Sequence, residues 1–128
     1  MVELSAPITF KNIDWAEIPL TAGVYVIYED EQTIYVGMAG RNGKGSLRTR
    51  LRDHSSGQIV NMFAQYLFLA RIQFVSEDRI THPRNAQAAC REYIAGRCSF
   101  RYRTTGNATE ARQLEKRLKA ELQPILNP

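Results

Sequence analysis

Five residues of this chain combine types and spacings that could act on a phosphate group. Tyr25 and Tyr35 lie in two short apolar stretches, GVYVIYE and TIYVG, and each is close to a glycine. Arg50 and His54 are four positions apart in SLRTRLRDH, so a helix would place them side by side. Arginine could stabilise a pentavalent phosphate, and histidine exchanges a proton near neutral pH. Glu115 adjoins the apolar stripe of a late helical segment, which could direct its carboxylate towards a sheet.

Each of these residues also has an ordinary structural explanation. The two tyrosines could simply pack in a core, and the arginine-rich helix could be a solvated basic surface. Glu115 could pair with Arg112 or Lys119 on its own helix. No second acid accompanies Glu115 at ligand spacing, so metal chemistry here would use one ion. Water and phosphate would supply most of its ligands, as suits magnesium.

The tyrosines are placed by a predicted β-hairpin. Residues 24–29 and 33–37 are rich in β-branched and aromatic side chains and are separated by acidic turn residues. If the turn centres on Asp30, Tyr25 lies directly opposite Tyr35, and both rings project from one face of the sheet. A slip of one residue would send the rings to opposite faces. The chemical interpretation therefore depends on the register.

The remaining pattern predicts helices around a small antiparallel sheet. Residues 98–104 alternate apolar and polar side chains, which is typical of a half-buried strand. Helices are predicted over 46–54, 84–96 and about 108–122, with a further helix reaching about residue 68 and a strand at 70–75. The lead-in to the hairpin is expected to be irregular and anchored by Trp15 and Ile18. The fold class is α+β, with three central strands flanked by helices and a helical insert before the third strand.

The last helix has a clear start signal in the sequence NATE. Asn107 fits the N-cap position and Glu110 the N3 position of a capping box, so we assign Glu110 a structural role. The apolar stripe of this helix consists of Ala111, Leu114, Leu118 and Leu122.

The composition is that of one basic, soluble domain of 128 residues. The net charge is +4, and 13 of the 17 basic residues are arginine, whose planar fork suits phosphate. Cys90 and Cys98 are too few for a disulfide framework and are predicted to be buried thiols in a reducing compartment. The N-terminus lacks the features of a signal peptide, and no apolar run is long enough to span a membrane. We therefore expect a cytoplasmic protein.

The loop GMAGRNGKGS lacks the spacing of a nucleotide-binding P-loop.

Taken in order, these elements resemble the GIY-YIG endonuclease superfamily, which is named for two short motifs on a hairpin. GVY at 23–25 and YVG at 35–37 match the two motifs. Arg50 stands where the family has an essential helix arginine, and His54 stands where members carry a tyrosine or a histidine. Glu115 matches the metal-binding glutamate of a late helix. The resemblance covers about residues 23–54 and 98–128 and is closest to small, stand-alone, histidine-bearing members. The chain is interpreted as a single domain over 1–128, in which 55–97 is a family-atypical insert.

The resemblance implies hydrolysis of a DNA phosphodiester with one divalent cation, Mg²⁺ or Mn²⁺, held by Glu115. In that scheme Tyr25, acting directly or through His54, activates water, and Tyr35 positions the phosphate or the nucleophile. Arg50 stabilises the developing charge. The residues expected to contact nucleic acid are Arg41, Lys44, Arg48 and Asn127.

One departure from the family pattern concerns the route of the proton. Several relatives follow the second motif with a lysine thought to help deprotonate a tyrosine, and this chain has Met38 there. Because an unaided tyrosine, with a pKa of about 10, is a poor base, His54 is the expected proton acceptor.

Other functions remain open at this point. A nucleic-acid-binding module that does not cleave, or a partner domain of a larger DNA-processing complex, would share the basic charge and the fold. The five chemically competent residues favour an enzyme. The sequence leaves open whether a monomer nicks one strand or a homodimer cuts both, and whether a DNA-targeting protein partner is needed.

Overall fold

In the part of the chain that the structure describes, the strands are β1 (Ile8–Thr9), β2 (Gly23–Glu29), β3 (Gln32–Ala39) and β4 (Cys98–Thr104), and the helices are α1 (Leu47–Ser55), α2 (Pro83–Arg97) and α3 (Ala108–Leu122). The four strands form one antiparallel sheet, in the order β1-β4-β2-β3. Two 3₁₀ turns lie at Trp15–Glu17 and Gly43–Gly45. The computed structural model describes residues 2–57, 63, 67 and 83–126.

The α+β class is confirmed, but the sheet has four strands and not the three expected. The additional strand, β1, has only two residues, too few to show an alternating pattern. Its position is set by its partner: Ile8 pairs with Phe100 and Thr9 with Ser99 along the outer edge of β4. The expected strand at 70–75 lies outside the described residues. The helix expected to reach residue 68 lies largely outside them too, although Phe63 and Leu67 are helical and buried.

The hairpin of β2 and β3 has a register that differs from the expected one. Tyr25 lies opposite Gly37, and Tyr35 lies opposite Ile27. The expectation that the two tyrosines face each other directly was therefore wrong. Both rings nevertheless project from the same face, on a diagonal across the two strands, with their centroids 6.5 Å apart.

A β-bulge accounts for this register. The turn is made by Asp30 and Glu31, with Asp30 in the left-handed region at φ 55°. Beyond the turn, Tyr28 pairs with Thr33, whereas the next residue of β2, Ile27, pairs with Tyr35. Ile34 is therefore one extra residue on β3. Such an inserted residue shifts the alternation of every side chain that follows it on that strand.

The sheet separates two apolar clusters. The first contains Tyr25, Ile27 and Phe100 together with Leu47 and Leu51 of α1 and Cys90 and Ile94 of α2. The second contains Val24, Val26 and Val36 together with Ala111 and Leu118 of α3. Helices α1 and α2 therefore cover one face of the sheet and α3 covers the other, in the layered arrangement typical of an α+β domain.

The caps and the apolar stripe predicted for α3 are confirmed. The Asn107 side chain accepts a hydrogen bond from the Glu110 amide at 2.8 Å. The Glu110 carboxylate accepts one from the Gly106 amide at 3.1 Å, one residue earlier than a standard capping box would have it. Ala111 and Leu118 are buried, and Leu114 and Leu122 pack against the same cluster.

Both cysteines are free and buried, as expected. Burial raises the pKa of the Cys90 thiol to about 11. Burial, followed by the negative charge of Glu29, raises the pKa of the Cys98 thiol to about 12. Among the described residues, no helix has the length and apolar character needed to cross a membrane.

Candidate active site

A buried hydrogen bond joins β2 to α1 at the centre of the site. The Tyr25 hydroxyl and Nε2 of His54 are 2.6 Å apart, and both side chains are buried. His54 occupies this position because it extends the stripe formed by Leu47 and Leu51, which are both fully buried. Ser46 caps the helix by accepting a hydrogen bond from the Thr49 amide. The apolar packing of α1 therefore directs its histidine at the sheet.

The Tyr25 ring lies across its cross-strand partner, Gly37. A Cβ atom at position 37 would be 2.7 Å from Cε2 of Tyr25, and closer still to Cζ and the hydroxyl oxygen. Glycine is required because the ring occupies the space of a side chain. Since β3 is an edge strand, this orientation carries the hydroxyl towards the border of the sheet.

Aromatic rings enclose the hydrogen bond. The Tyr35 ring is half-buried, and its centroid lies 5.7 Å from that of His54. Phe63 packs against both, with centroid distances of 5.2 Å to Tyr35 and 5.3 Å to His54. The imidazole of His54 is therefore buried among aromatic rings.

Burial sets the protonation state of Tyr25. Its pKa is raised well above the ordinary value of about 10, first by desolvation and then by the nearby Tyr35. Arg50 lowers that pKa, whereas Glu115 and Asp53 raise it. Tyr25 is therefore a neutral phenol at physiological pH. The charges of Arg50 and Glu115 are both close enough to act on it.

Arg50 is exposed at the mouth of the site. Within the described part of the chain, its guanidinium forms no hydrogen bond or ion pair with another residue. Among those residues nothing occupies its five N–H donors, which can bind an anion.

Glu115 lies on α3, which packs against the opposite face of the sheet from Tyr25. Its charge still acts on the phenol because the Tyr25 ring reaches towards edge strand β3, against which α3 also packs. The pairing with Lys119 that the sequence left open is present, with Oε1 3.7 Å from Nζ. The Glu115 side chain is about one-fifth exposed, so its carboxylate is accessible from solvent.

The residues expected to contact nucleic acid have different surroundings. Arg41 and Lys44 are exposed in the loop after β3. Arg48 instead bonds to backbone, because its Nε donates to the Ile18 carbonyl at 2.7 Å and its Nη2 to the Ala16 carbonyl at 3.2 Å. Its guanidinium thereby fastens the segment before β2 to the start of α1. Asn127 lies outside the described residues.

Two contributors to the site were not found from the sequence. Gly37 was recognised as part of a motif but not as the floor beneath Tyr25, although a glycine inside a strand is a general signal of close approach. Phe63 lies in a long apolar run in which nothing distinguishes it from its neighbours.

The family model for the GIY-YIG catalytic domain matches residues 8–128. The matched range includes the hairpin, α1 and α3, and it also includes segment 55–97. No curated protein matches the chain.

Proposed function

Because this chain belongs to the GIY-YIG catalytic domain family, we propose that it is an endonuclease that hydrolyses a phosphodiester bond of DNA with the aid of one divalent cation. The observation that carries this proposal is the buried 2.6 Å hydrogen bond between the Tyr25 hydroxyl and His54. A buried phenol joined to an imidazole has the geometry of a proton relay.

Tyr25 and His54 together act as the general base. Tyr25 is neutral, so it cannot accept a proton unless it gives one up. In the neutral tautomer of His54 with Nε2 unprotonated, the phenol donates its hydrogen to Nε2, and a phenol lone pair is left for water. As water loses a proton to the Tyr25 oxygen, the phenol passes its own proton to His54. The resulting hydroxide attacks phosphorus as the bond to the leaving bridging oxygen breaks, and that oxygen takes a proton from solvent. This route needs no lysine after the second motif, where the chain has Met38.

Tyr35 and Arg50 act on the phosphate. The half-buried Tyr35 ring borders the relay and can orient the attacked phosphate or the nucleophile through its hydroxyl. Arg50, which has no side-chain partner among the described residues, binds the non-bridging oxygens and stabilises the charge that develops on them.

Glu115 is the residue that would hold the cation. Its accessible carboxylate and its electrostatic effect on Tyr25 fit a hard divalent metal near the phenol. Within the described residues there is no group of three or more histidine, cysteine, aspartate or glutamate side chains that could hold a metal. A single carboxylate suits Mg²⁺ or Mn²⁺ in a site otherwise filled by water and phosphate oxygens. When bound, the cation would neutralise charge on the phosphate and on the leaving oxygen.

Exposed Arg41 and Lys44 are the residues proposed to hold the DNA backbone beside the site, and Asn127 is a further proposed contact. Phosphate contacts release counterions, so binding should weaken steeply with salt. The proposal also includes a cytoplasmic location, and it is compatible with either a monomer or a homodimer.

Incubation with supercoiled plasmid tests the function directly. We expect nicked or linear product in Mg²⁺ or Mn²⁺ and none in chelator. Tyr25→Phe and Arg50→Ala proteins should be inactive under the same conditions. If the unmutated protein binds DNA but cleaves neither supercoiled plasmid nor branched DNA with either metal, the chain is a non-cleaving nucleic-acid-binding module and the proposal is refuted.

A further inference from the structure

The bulge at Ile34 decides which face Tyr35 occupies. Next to the turn, Glu29 pairs with Gln32 and Tyr28 with Thr33. Continued without a bulge, that register would put Tyr25 opposite Val36 and send Tyr35 to the α3 face of the sheet. The one extra residue returns Tyr35 to the face of Tyr25 and His54.

The segment that follows α3 contacts this bulge. Helix α3 ends at Gln123, which adopts a left-handed conformation at φ 46°. The chain then turns, and the Leu126 amide donates a hydrogen bond to the Ile34 carbonyl at 2.8 Å. Among the described strands, β3 lies at the edge of the sheet, so none of them offers this carbonyl a donor, and the Leu126 amide supplies one.

The Leu126 side chain reinforces the same contact. It is 6% exposed and belongs to the cluster that contains Tyr25 and Ile34, although α3 itself packs in the other cluster. The segment after α3 therefore passes round the open edge of β3 and inserts its leucine beneath the face that carries the site. The adjacent Ile125 is 45% exposed and belongs to neither cluster.

We propose that Leu126 is a positioning residue for Tyr35: it fixes the bulge at Ile34 from outside the sheet and so sets the place of the Tyr35 ring. The catalytic consequence rests on the proposed nuclease function. The placement of the Tyr35 ring by Leu126 does not depend on that function.

The test compares Leu126→Ala with matched variants in plasmid cleavage. Misplacing a catalytic group by about 1 Å costs up to roughly 100-fold in rate, so we expect Leu126→Ala to lower kcat by about 10- to 100-fold, with KM unchanged within about twofold. Leu126→Met, which conserves volume, should restore the rate. Ile94→Ala empties a fully buried position of the same cluster on α2. The Ile94→Ala protein should lose about as much thermal stability as the Leu126→Ala protein but keep the kcat of the unmutated protein. Ile125→Ala should behave as the unmutated protein.

A spectroscopic measurement separates positioning from activity. The rings of Tyr25 and Tyr35 are close enough for a nuclear Overhauser effect between them, and this effect should weaken in Leu126→Ala but persist in Ile94→Ala. Leu126→Val removes a single methylene and provides the same comparison in a protein that retains the fold.

Two results would overturn the proposal: equal losses of kcat in Leu126→Ala and Ile94→Ala, or an unchanged effect between the tyrosine rings in both Leu126 variants. If the unmutated protein cleaves no DNA, the proposed function fails. The ring-to-ring effect then decides the positioning role by itself.

Discussion

Gly37→Ala is the substitution that most directly tests the geometry of the site. The new methyl group would lie 2.7 Å from Cε2 of Tyr25 and nearer still to the hydroxyl, whereas an ordinary contact is at least 3.4 Å. The ring must therefore retreat by about 0.7 Å or more, with the larger movement at the hydroxyl. The hydrogen bond to His54 is only 2.6 Å long, so a shift of this size separates the phenol from its proton acceptor.

Two effects of Gly37→Ala can be given magnitudes. A displacement approaching 1 Å in a catalytic group predicts a loss of roughly 100-fold in the cleavage rate. In an ordinary strand, glycine to alanine would stabilise the protein by about 0.5–1 kcal/mol. Here overpacking should instead destabilise it by about 1–3 kcal/mol.

The assay is single-turnover cleavage of plasmid, together with urea unfolding of the same samples. Gly96→Ala is the matched control, because a Cβ there meets no heavy atom within 4 Å and the position lies in α2. It should gain about 0.5–1 kcal/mol and cleave normally. In a Tyr25→Ala background, the destabilisation caused by Gly37→Ala should disappear, since the clashing ring is gone. A Gly37→Ala protein that is more stable and fully active would refute the placement of Tyr25.

Three further predictions concern charge. The Glu115→Gln protein should not cleave DNA, should fold nearly normally and should bind DNA at least as tightly as the unmutated protein in chelator. Glu110→Ala should lower the free energy of unfolding by about 0.5–2 kcal/mol, measured in a thermal melt, and largely spare cleavage. The opposite pattern would mean that the helix phase is wrong. The pKa of Tyr25 is raised in the folded state, so the folded protein binds the phenolic proton more tightly than the unfolded chain does. The stability that results is fully present below about pH 10 and is lost as the pH rises towards the folded pKa. Tyr25→Phe should therefore lose less stability than the unmutated protein between pH 9 and 11 in denaturant titrations, and parallel pH curves would contradict the burial effect. Arg41→Gln and Lys44→Gln should each reduce the slope of the log DNA-binding constant against log salt concentration by about one. Arg48→Gln should leave that slope unchanged. It should instead lower the free energy of unfolding by about 1–3 kcal/mol, because the bonds to two backbone carbonyls are lost.

Local signals were sufficient for most of the elements. The strand predicted at 98–104 and the helix at 108–122 have the predicted bounds, because an alternating pattern and an N-cap are encoded in adjacent residues. The burial of both cysteines and the roles of Asn107 and Glu110 follow from equally local chemistry.

The register of the hairpin could not be obtained in this way. Nothing in QTIYVG marks Ile34 as a bulge, because its carbonyl is satisfied by Leu126, about ninety positions further along the chain. Both tyrosines were expected on one face of the sheet, and both lie there. The expected reason, a directly opposed pair, does not hold, because the bulge places them on a diagonal. β1 was missed for the same kind of reason, since a two-residue strand is determined by the edge it pairs with.

The placement of individual site residues also depended on distant packing. Arg50 was assigned to the site by its spacing from His54 and by the family motif. No local signal in the sequence indicates that Arg48, two residues earlier, bonds to the carbonyls of Ala16 and Ile18. The burial of His54 has a local signal, because its spacing from Leu47 and Leu51 places it on the buried stripe.

The burial of the two native thiols makes the protein suitable for site-specific labelling. With pKa values of about 11 and 12, Cys90 and Cys98 carry only on the order of one part in ten thousand or less of reactive thiolate at neutral pH. A cysteine introduced at an exposed position, for example Lys44→Cys, would react with a maleimide dye much faster than either native residue. Fluorescence could then follow the loop after β3 as DNA arrives, in a protein whose native cysteines are left in place.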